Sequence, residues 1–131
     1  MAGSATACLS AWTDLASASE ATETKNDDPM VTHDGLRLMA RAYAANGDFE
    51  HPHVSPVLAE LADLPPLLLQ VGTNEHLLED STVFADRARA AGVDVSLEEW
   101  EDMIHVFQAF PSLEEATEAI DGIGEFVKRH T

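Results

Sequence analysis

The sequence predicts an α/β fold: a three-stranded parallel sheet with flanking helices. Three observations predict it. Leu67 to Val71 (LLLQV) is an unbroken apolar-rich run bounded by turn signals, the pattern of a strand buried on both faces. Val93 to Trp100 instead alternates Val93, Val95 and Leu97 with Asp94, Ser96 and Glu98, as an edge strand wetted on one side does. Between them, Leu77 to Ala91 carries apolar residues at helical spacing. Strand–helix–strand alternation with connections of this length implies βαβ units with right-handed crossovers.

Each element follows from local chemistry. Ala5 to Trp12 (ATACLSAW) reads as a first strand. Thr13 to Asp28 is polar and reads as a loop or a weak helix, with propensity deciding neither. After Asp28-Pro29, Thr32 or Asp34 can cap a helix running to about Ala45, with Leu36, Met39, Ala40 and Tyr43 on one face. Asn46-Gly47-Asp48 stops it. The prolines at 52, 56, 65 and 66 mark an extended connector with one helical turn around Ala59 to Asp63. Neither Pro65 nor Pro66 can donate to a ladder, so the central strand begins after them, and Gly72 with Thr73-Asn74 ends it. The next helix turns Leu77, Ser81, Phe84, Ala85 and Ala88 inward, with Gly92 as its C′ residue. Glu79 and Asp80, in its first turns, should face solvent. The last helix opens on a capping box, Ser112 with Glu115, and buries a stripe of Ala116, Ile120, Ile123, Phe126 and Val127. Lys128 and Arg129 suit its C-terminal dipole. Trp12 and Trp100 should pack in the core or at a strand end.

The 131 residues fit a single domain, 1–131, and the 45% apolar fraction suffices for a core. No stretch approaches the ~18 consecutive apolar residues of a membrane span. The N-terminus, MAGSATACLS, lacks the basic and apolar regions of a signal peptide, and Cys8 has no internal disulfide partner. These features favour the cytoplasm. With 24 acidic residues against 7 basic, the net charge of −17 repels nucleic acid and anionic membranes. A solvated surface is the plain reading of that charge, and adaptation to high salt a second.

The candidate chemistry sits at the strand ends, where open α/β sheets gather their ligands and catalytic groups. Glu75 follows the central strand and His105 follows the edge strand, so parallel neighbours would deliver both to one rim. A carboxylate bonded to one imidazole nitrogen fixes the tautomer and stabilises the imidazolium, freeing the other nitrogen as general base. Ile104, Val106 and Phe107 would hold the ring and limit its hydration, and Val106 and Phe107 are candidate substrate contacts. The bland alternatives are a structural histidine, commoner among apolar neighbours, and a helix-start carboxylate favoured by the dipole.

A base needs a group to activate. The serine of an acyl-transfer elbow stands in G-x-S-x-G, and that pattern does not occur in these residues. Ser4 precedes the first strand, and Ser10 ends it without flanking glycines, so neither is a credible nucleophile. An HGG-type oxyanion loop and a phosphate-cradling glycine loop are likewise not found. His51-x-His53 has no further metal ligand at a helpful spacing, so no metal or cofactor is expected.

Together these segments resemble the C-terminal portion of bacterial esterases of the hormone-sensitive-lipase family, within the α/β-hydrolases. ACLSAWTDLA resembles the sixth strand and its loop, HPHVSPVLAELADLPPLLLQVGTNEHLLEDS the seventh strand and acid loop, and FADRARAAGVDVSLEEWEDMIHVF the helix, eighth strand and histidine loop. The resemblance implies that His105 is the catalytic base and that Glu75 holds the place of the triad acid. The family most often has Asp-Pro-Leu where this sequence has Glu75-His76-Leu77. It also implies a serine carboxylesterase or lipase whose elbow, oxyanion loop and first five strands lie upstream. The chain alone should then be inactive, with Ala5–Trp12 exposing a strand edge to the upstream half or to a second copy. A small-molecule ester would be the substrate of the completed enzyme. The alternative is a non-catalytic α/β interaction module derived from such an enzyme.

Overall fold

Three parallel strands, β1 (Thr6–Leu9), β2 (Leu67–Gly72) and β3 (Val95–Trp100), form a sheet in the order β1-β2-β3. This computed structural model describes residues 3–16 and 28–131. The register pairs Thr6 with Leu67 and Leu9 with Gln70 on one side of β2, and Leu67 with Val95 and Gly72 with Trp100 on the other. Every residue of β2 is buried, as its apolar run requires. The loop or weak helix expected over Thr13 to Asp28 lies mostly outside the described residues.

Helix α1 (His33–Tyr43) starts where Thr32 accepts the Gly35 N–H at 3.0 Å. Asp28 stiffens the approach by accepting the Met30 and Val31 N–H groups at 2.9 and 3.0 Å. Its buried stripe is narrower than the expected face. Leu36, Ala40 and the following Ala44 are covered, but Met39 and Tyr43 are 49% and 70% exposed. They flank an apolar groove of about 290 Å³ shared with Trp12, Leu15, His53, Val54 and Pro56. Trp12 packs against Val31, Leu36 and Leu77.

The connector's helical turn forms at Pro56–Leu58, upstream of the expected Ala59 to Asp63. Pro56 takes the first position, where its fixed φ is pre-set and its missing N–H is not needed. Beside it, fully buried Ser55 donates to the Phe49 carbonyl at 2.6 Å and accepts the Leu15 N–H at 2.9 Å.

Helix α2 (Leu78–Ala90) turns Phe84, Ala85 and Ala88 onto Val57, Leu61, Leu67, Leu69 and Val93, the main core. It ends as the sequence indicates. Gly92 has φ +87° and donates to the Arg89 carbonyl at 3.0 Å, while Val93 donates to Ala88 at 3.0 Å, a Schellman cap. A Cβ on Gly92 would touch nothing, so only conformation opposes a side chain there. Gly92→Ala is therefore expected to lower unfolding free energy by about 1 kcal/mol without altering the fold, a loss that urea denaturation would measure.

Helix α3 (Glu114–His130) departs from expectation at its start and along its face. Leu113, not Ser112, takes the N-cap position, and no side chain caps the helix. Leu113 packs with Phe107, Ala116 and Ala119, so burial sets the start in place of the capping box. The buried stripe is Ala116, Ala119 and Phe126, whereas Ile120 is 52% and Val127 39% exposed. Small residues let the helix approach the sheet closely enough for the Ala119 carbonyl to accept from Gln70 Nε2 at 2.9 Å. Buried Gln70 also donates to Glu98 at 2.9 Å and accepts from Gln108 at 3.0 Å. The charged face expected on β3 is thus partly used within the fold: Glu98 binds Gln70 and also the Trp100 indole N–H at 3.2 Å. No helix among the described residues is long and apolar enough to cross a membrane.

Candidate functional site

The carboxyl ends of all three strands meet at one rim, and the loops there are knitted by short bonds. Thr73 N–H donates to the Trp100 carbonyl at 2.9 Å, Asn74 N–H to Met103 at 3.1 Å, and Asp102 N–H to the Thr73 hydroxyl at 2.8 Å. Gly72 permits this approach. A Cβ there would overlap the Met103 carbonyl, backbone that no side-chain rotation can move aside. The histidine loop therefore lies directly on the end of β2.

Glu75 stands in the turn between β2 and α2 with no exposed surface. Its Oε1 is 3.0 Å from His105 Nδ1. Its Oε2 accepts the Ser10 hydroxyl at 2.9 Å and the Gly72 N–H. A buried carboxylate is tolerable only when its lone pairs are occupied, and donors from three separate segments occupy these. The two residues singled out by the strand-end argument, thirty positions apart, are thus within hydrogen-bond distance. The His105 side chain is 25% exposed, so one part of the ring is held and another reaches the surface.

Val106 and Phe107 occupy different environments. Val106 is half-buried and left-handed at φ +50°, an unusual conformation for a β-branched residue. Phe107 is fully buried beneath the loop, against Ala116, Ala119 and Trp100, so its ring faces the core. The three non-glycine residues with positive φ among those described, Ser10, Asp102 and Val106, all lie at this rim. Backbone strain collects at such places only when surrounding contacts over-determine it.

Sequence reasoning missed three contributors, Ser10, Asp80 and Asp28. Ser10, set aside there as a nucleophile, contacts the acid: its Oγ bonds Glu75 and also accepts the Val106 N–H at 2.9 Å. The one sequence signal was its position at the end of the first strand. Asp80 was placed toward solvent, but it turns inward and accepts the Thr13 and Asp14 N–H groups at 2.8 and 2.9 Å. Those donors lie more than sixty positions upstream, so no local pattern reveals them. Glu79 is exposed, as expected. Asp28 secures the acid loop in a similar way, with Oδ2 accepting the His76 N–H at 3.0 Å.

Burial pushes the Asp80 carboxyl up from its ordinary 3.8 to about 6, helped by the nearby Asp14 and Glu79 charges and opposed by the two N–H donors. A carboxyl with a raised native pKa favours folding while protonated. Its contribution is present below its ordinary value and lost as pH rises through about 6. Asp80→Asn keeps an acceptor oxygen and removes that loss. The stability of this variant relative to the original chain should rise by about 1–2 kcal/mol between pH 4 and pH 7.5, a figure discounted for partial exposure. Paired urea titrations at the two pH values would show a pH-independent difference if Asp80 were an ordinary surface carboxylate.

Comparison with known proteins bears on the fold that carries this geometry. Residues 3–109 match the model of an alpha/beta hydrolase fold family. The chain is 41% identical to an acetyl-hydrolase of Streptomyces hygroscopicus over 130 residues, 97% of this chain and 43% of the relative. A hormone-sensitive lipase from a metagenome library superposes with a TM-score of 0.88 at 35% identity, covering 97% of this chain and 44% of that one. An esterase of the bacterial hormone-sensitive-lipase family superposes at 0.85 with 40% identity, covering 96% and 43%. The chain spans less than half the length of these relatives. A three-stranded parallel sheet with flanking helices, similar over nearly its whole length to these hormone-sensitive-lipase-type enzymes, and a family-model match over residues 3–109 place the chain in the α/β-hydrolase family.

Proposed function

We propose that this chain supplies the acid and base of a serine carboxylesterase, with Glu75 orienting His105. The observation that carries the reading is the 3.0 Å approach of Glu75 Oε1 to His105 Nδ1 at the rim, with the carboxylate fully buried. With Nδ1 bonded to the acid, Nε2 is the nitrogen left to take a proton from a serine hydroxyl. The serine oxygen attacks the ester carbonyl, and the imidazolium returns the proton to the departing alkoxide. Water then repeats the sequence on the acyl-enzyme. Half-buried Val106 is the nearer candidate to line the substrate's approach.

The attacking serine and oxyanion donors are assigned to a segment outside these residues, which contain no G-x-S-x-G. Residues 1–131 are then one part of a larger hydrolase domain. The free edge of β1, which pairs only with β2 among the described strands, supports docking of an upstream half, or of a second copy, along that strand. The acetyl-hydrolase and esterase names of the relatives favour short acyl esters as substrates. A cytoplasmic site of action belongs to the same reading and rests on Cys8 being the sole cysteine of the sequence.

The test is to supply a serine-bearing upstream half from a related esterase and follow nitrophenyl acetate hydrolysis. The chain alone should show no turnover above background, because base and acid without nucleophile or oxyanion hole have little to do. The combined halves should turn over, and His105→Ala should remove about 10⁴-fold or more of kcat. Turnover surviving that substitution would rule His105 out as the base.

A further inference from the structure

We infer that Ser10 is a positioning residue for the acid–base pair, its hydroxyl fastening the acid and the histidine loop to the end of β1. The inference rests on the acid–base reading of Glu75 and His105. Ser10 is 4% exposed, and its own N–H donates to the Gln70 carbonyl at 2.8 Å, so the backbone that carries the hydroxyl is anchored to β2. Its Oγ donates to Glu75 Oε2 at 2.9 Å and accepts the Val106 N–H at 2.9 Å. One hydroxyl thus joins residues 65 and 96 positions away in the chain.

Both contacts constrain the pair directly. With the Ser10 hydroxyl and Gly72 N–H on Oε2, the carboxylate plane is set, and Oε1 is directed at the imidazole. Val106 follows His105 in the chain, so holding its N–H fixes the left-handed turn from which the ring projects. Ser10 itself adopts φ +50°, a conformation that disfavours serine and that the ladder and hydroxyl bonds together maintain. The hydroxyl hydrogen points at the acid, which separates Ser10 from a nucleophile that would face the imidazole.

The experiment compares Ser10→Ala and Ser10→Gly with the original chain. Glycine takes a positive φ without strain, so it removes the hydroxyl while easing the backbone. In the chain alone, hydrogen exchange at the Val106 amide and the His105 Nδ1–H resonance report the two contacts. In the reconstituted enzyme, kcat and KM for nitrophenyl acetate report their effect. Both variants should exchange Val106 at least about tenfold faster, broaden or lose the Nδ1–H signal, and lower kcat about ten- to a hundredfold with KM little changed. A merely structural role would lower melting temperature without separating kcat from KM. Loss in Ser10→Ala that Ser10→Gly restores would assign the effect to backbone strain and overturn the proposal. Unchanged exchange and kcat in both would overturn it too. Fast Val106 exchange in the original chain would refute the clamp even where a variant fails to fold. Absence of turnover in the reconstituted original would instead count against the acid–base reading, leaving the exchange and resonance data to judge Ser10.

Discussion

Glu75→Gln is expected to leave the chain folded and to lower ester turnover in the reconstituted enzyme by about 10⁴-fold. The two acceptor oxygens of Glu75 have different partners. Oε2 faces the Gly72 N–H, a fixed backbone donor, and the Ser10 hydroxyl, whereas Oε1 faces His105 Nδ1. A glutamine must therefore turn its carbonyl oxygen to Gly72 and its NH₂ to the imidazole. Two donors cannot share that bond, so Nδ1 loses its hydrogen and Nε2 acquires one. The ring keeps its place but presents the wrong tautomer to a serine. Nitrogen-15 NMR of the histidine ring would read the exchange of tautomers directly, and denaturation would show a fold nearly as stable as the original. Full activity in Glu75→Gln would remove the acid from the mechanism. Glu75→Ala is the harsher control, since it leaves buried donors unpaired and a cavity beside them.

The second large effect is expected at Gly72, for a steric reason. In Gly72→Ala the new methyl meets the Met103 carbonyl, which belongs to the backbone of the histidine loop. Either the loop lifts from β2 or β2 shifts in a sheet where every one of its residues is buried. The first is the easier, and it breaks the Asn74–Met103 bond and draws His105 away from Glu75. A loss of about 2–3 kcal/mol in stability should accompany a fall in kcat of about a hundredfold. Crystallography or amide exchange of residues 101–106 would locate the movement. Stability within about 0.5 kcal/mol of the original would mean that the close approach is not a constraint.

The parts of this molecule that were legible in its sequence are those governed by short-range patterning. The unbroken LLLQV run identified the central strand, the Val95/Leu97 alternation the edge strand, and Gly92 the end of α2. Glu75 and His105 could be brought together because parallel neighbours must present their ends at one rim. Less legible was whatever depends on which surfaces find a cover. Met39, Tyr43, Ile120 and Val127 carry apolar side chains at helical spacing, yet they are exposed, and Ala40, Ala116 and Ala119 are the buried residues instead. Small residues bring helices close and so decide which face docks, a packing result that a hydrophobic pattern undervalues. Leu113, which packs against Phe107, Ala116 and Ala119, took the N-cap position in place of Ser112. Ser10, Asp28 and Asp80 were illegible for a different reason. Each binds a backbone or side-chain group tens of residues away, and distance along the chain hides the pairing.

The left-handed conformations of Ser10, Asp102 and Val106 carry a consequence for how such an enzyme would evolve. Selection for heat resistance finds its easiest gains where backbone tension can be relaxed, and here the tension sits beside the histidine. Glycine or asparagine at Asp102 or Val106 would raise the melting point while letting the imidazole wander, whereas at Ser10 the lost hydroxyl would leave buried partners unpaired. Durability and turnover are therefore set against each other at two particular residues, and a lineage adapting to heat would do better to reinforce the distant helices than to soothe this corner.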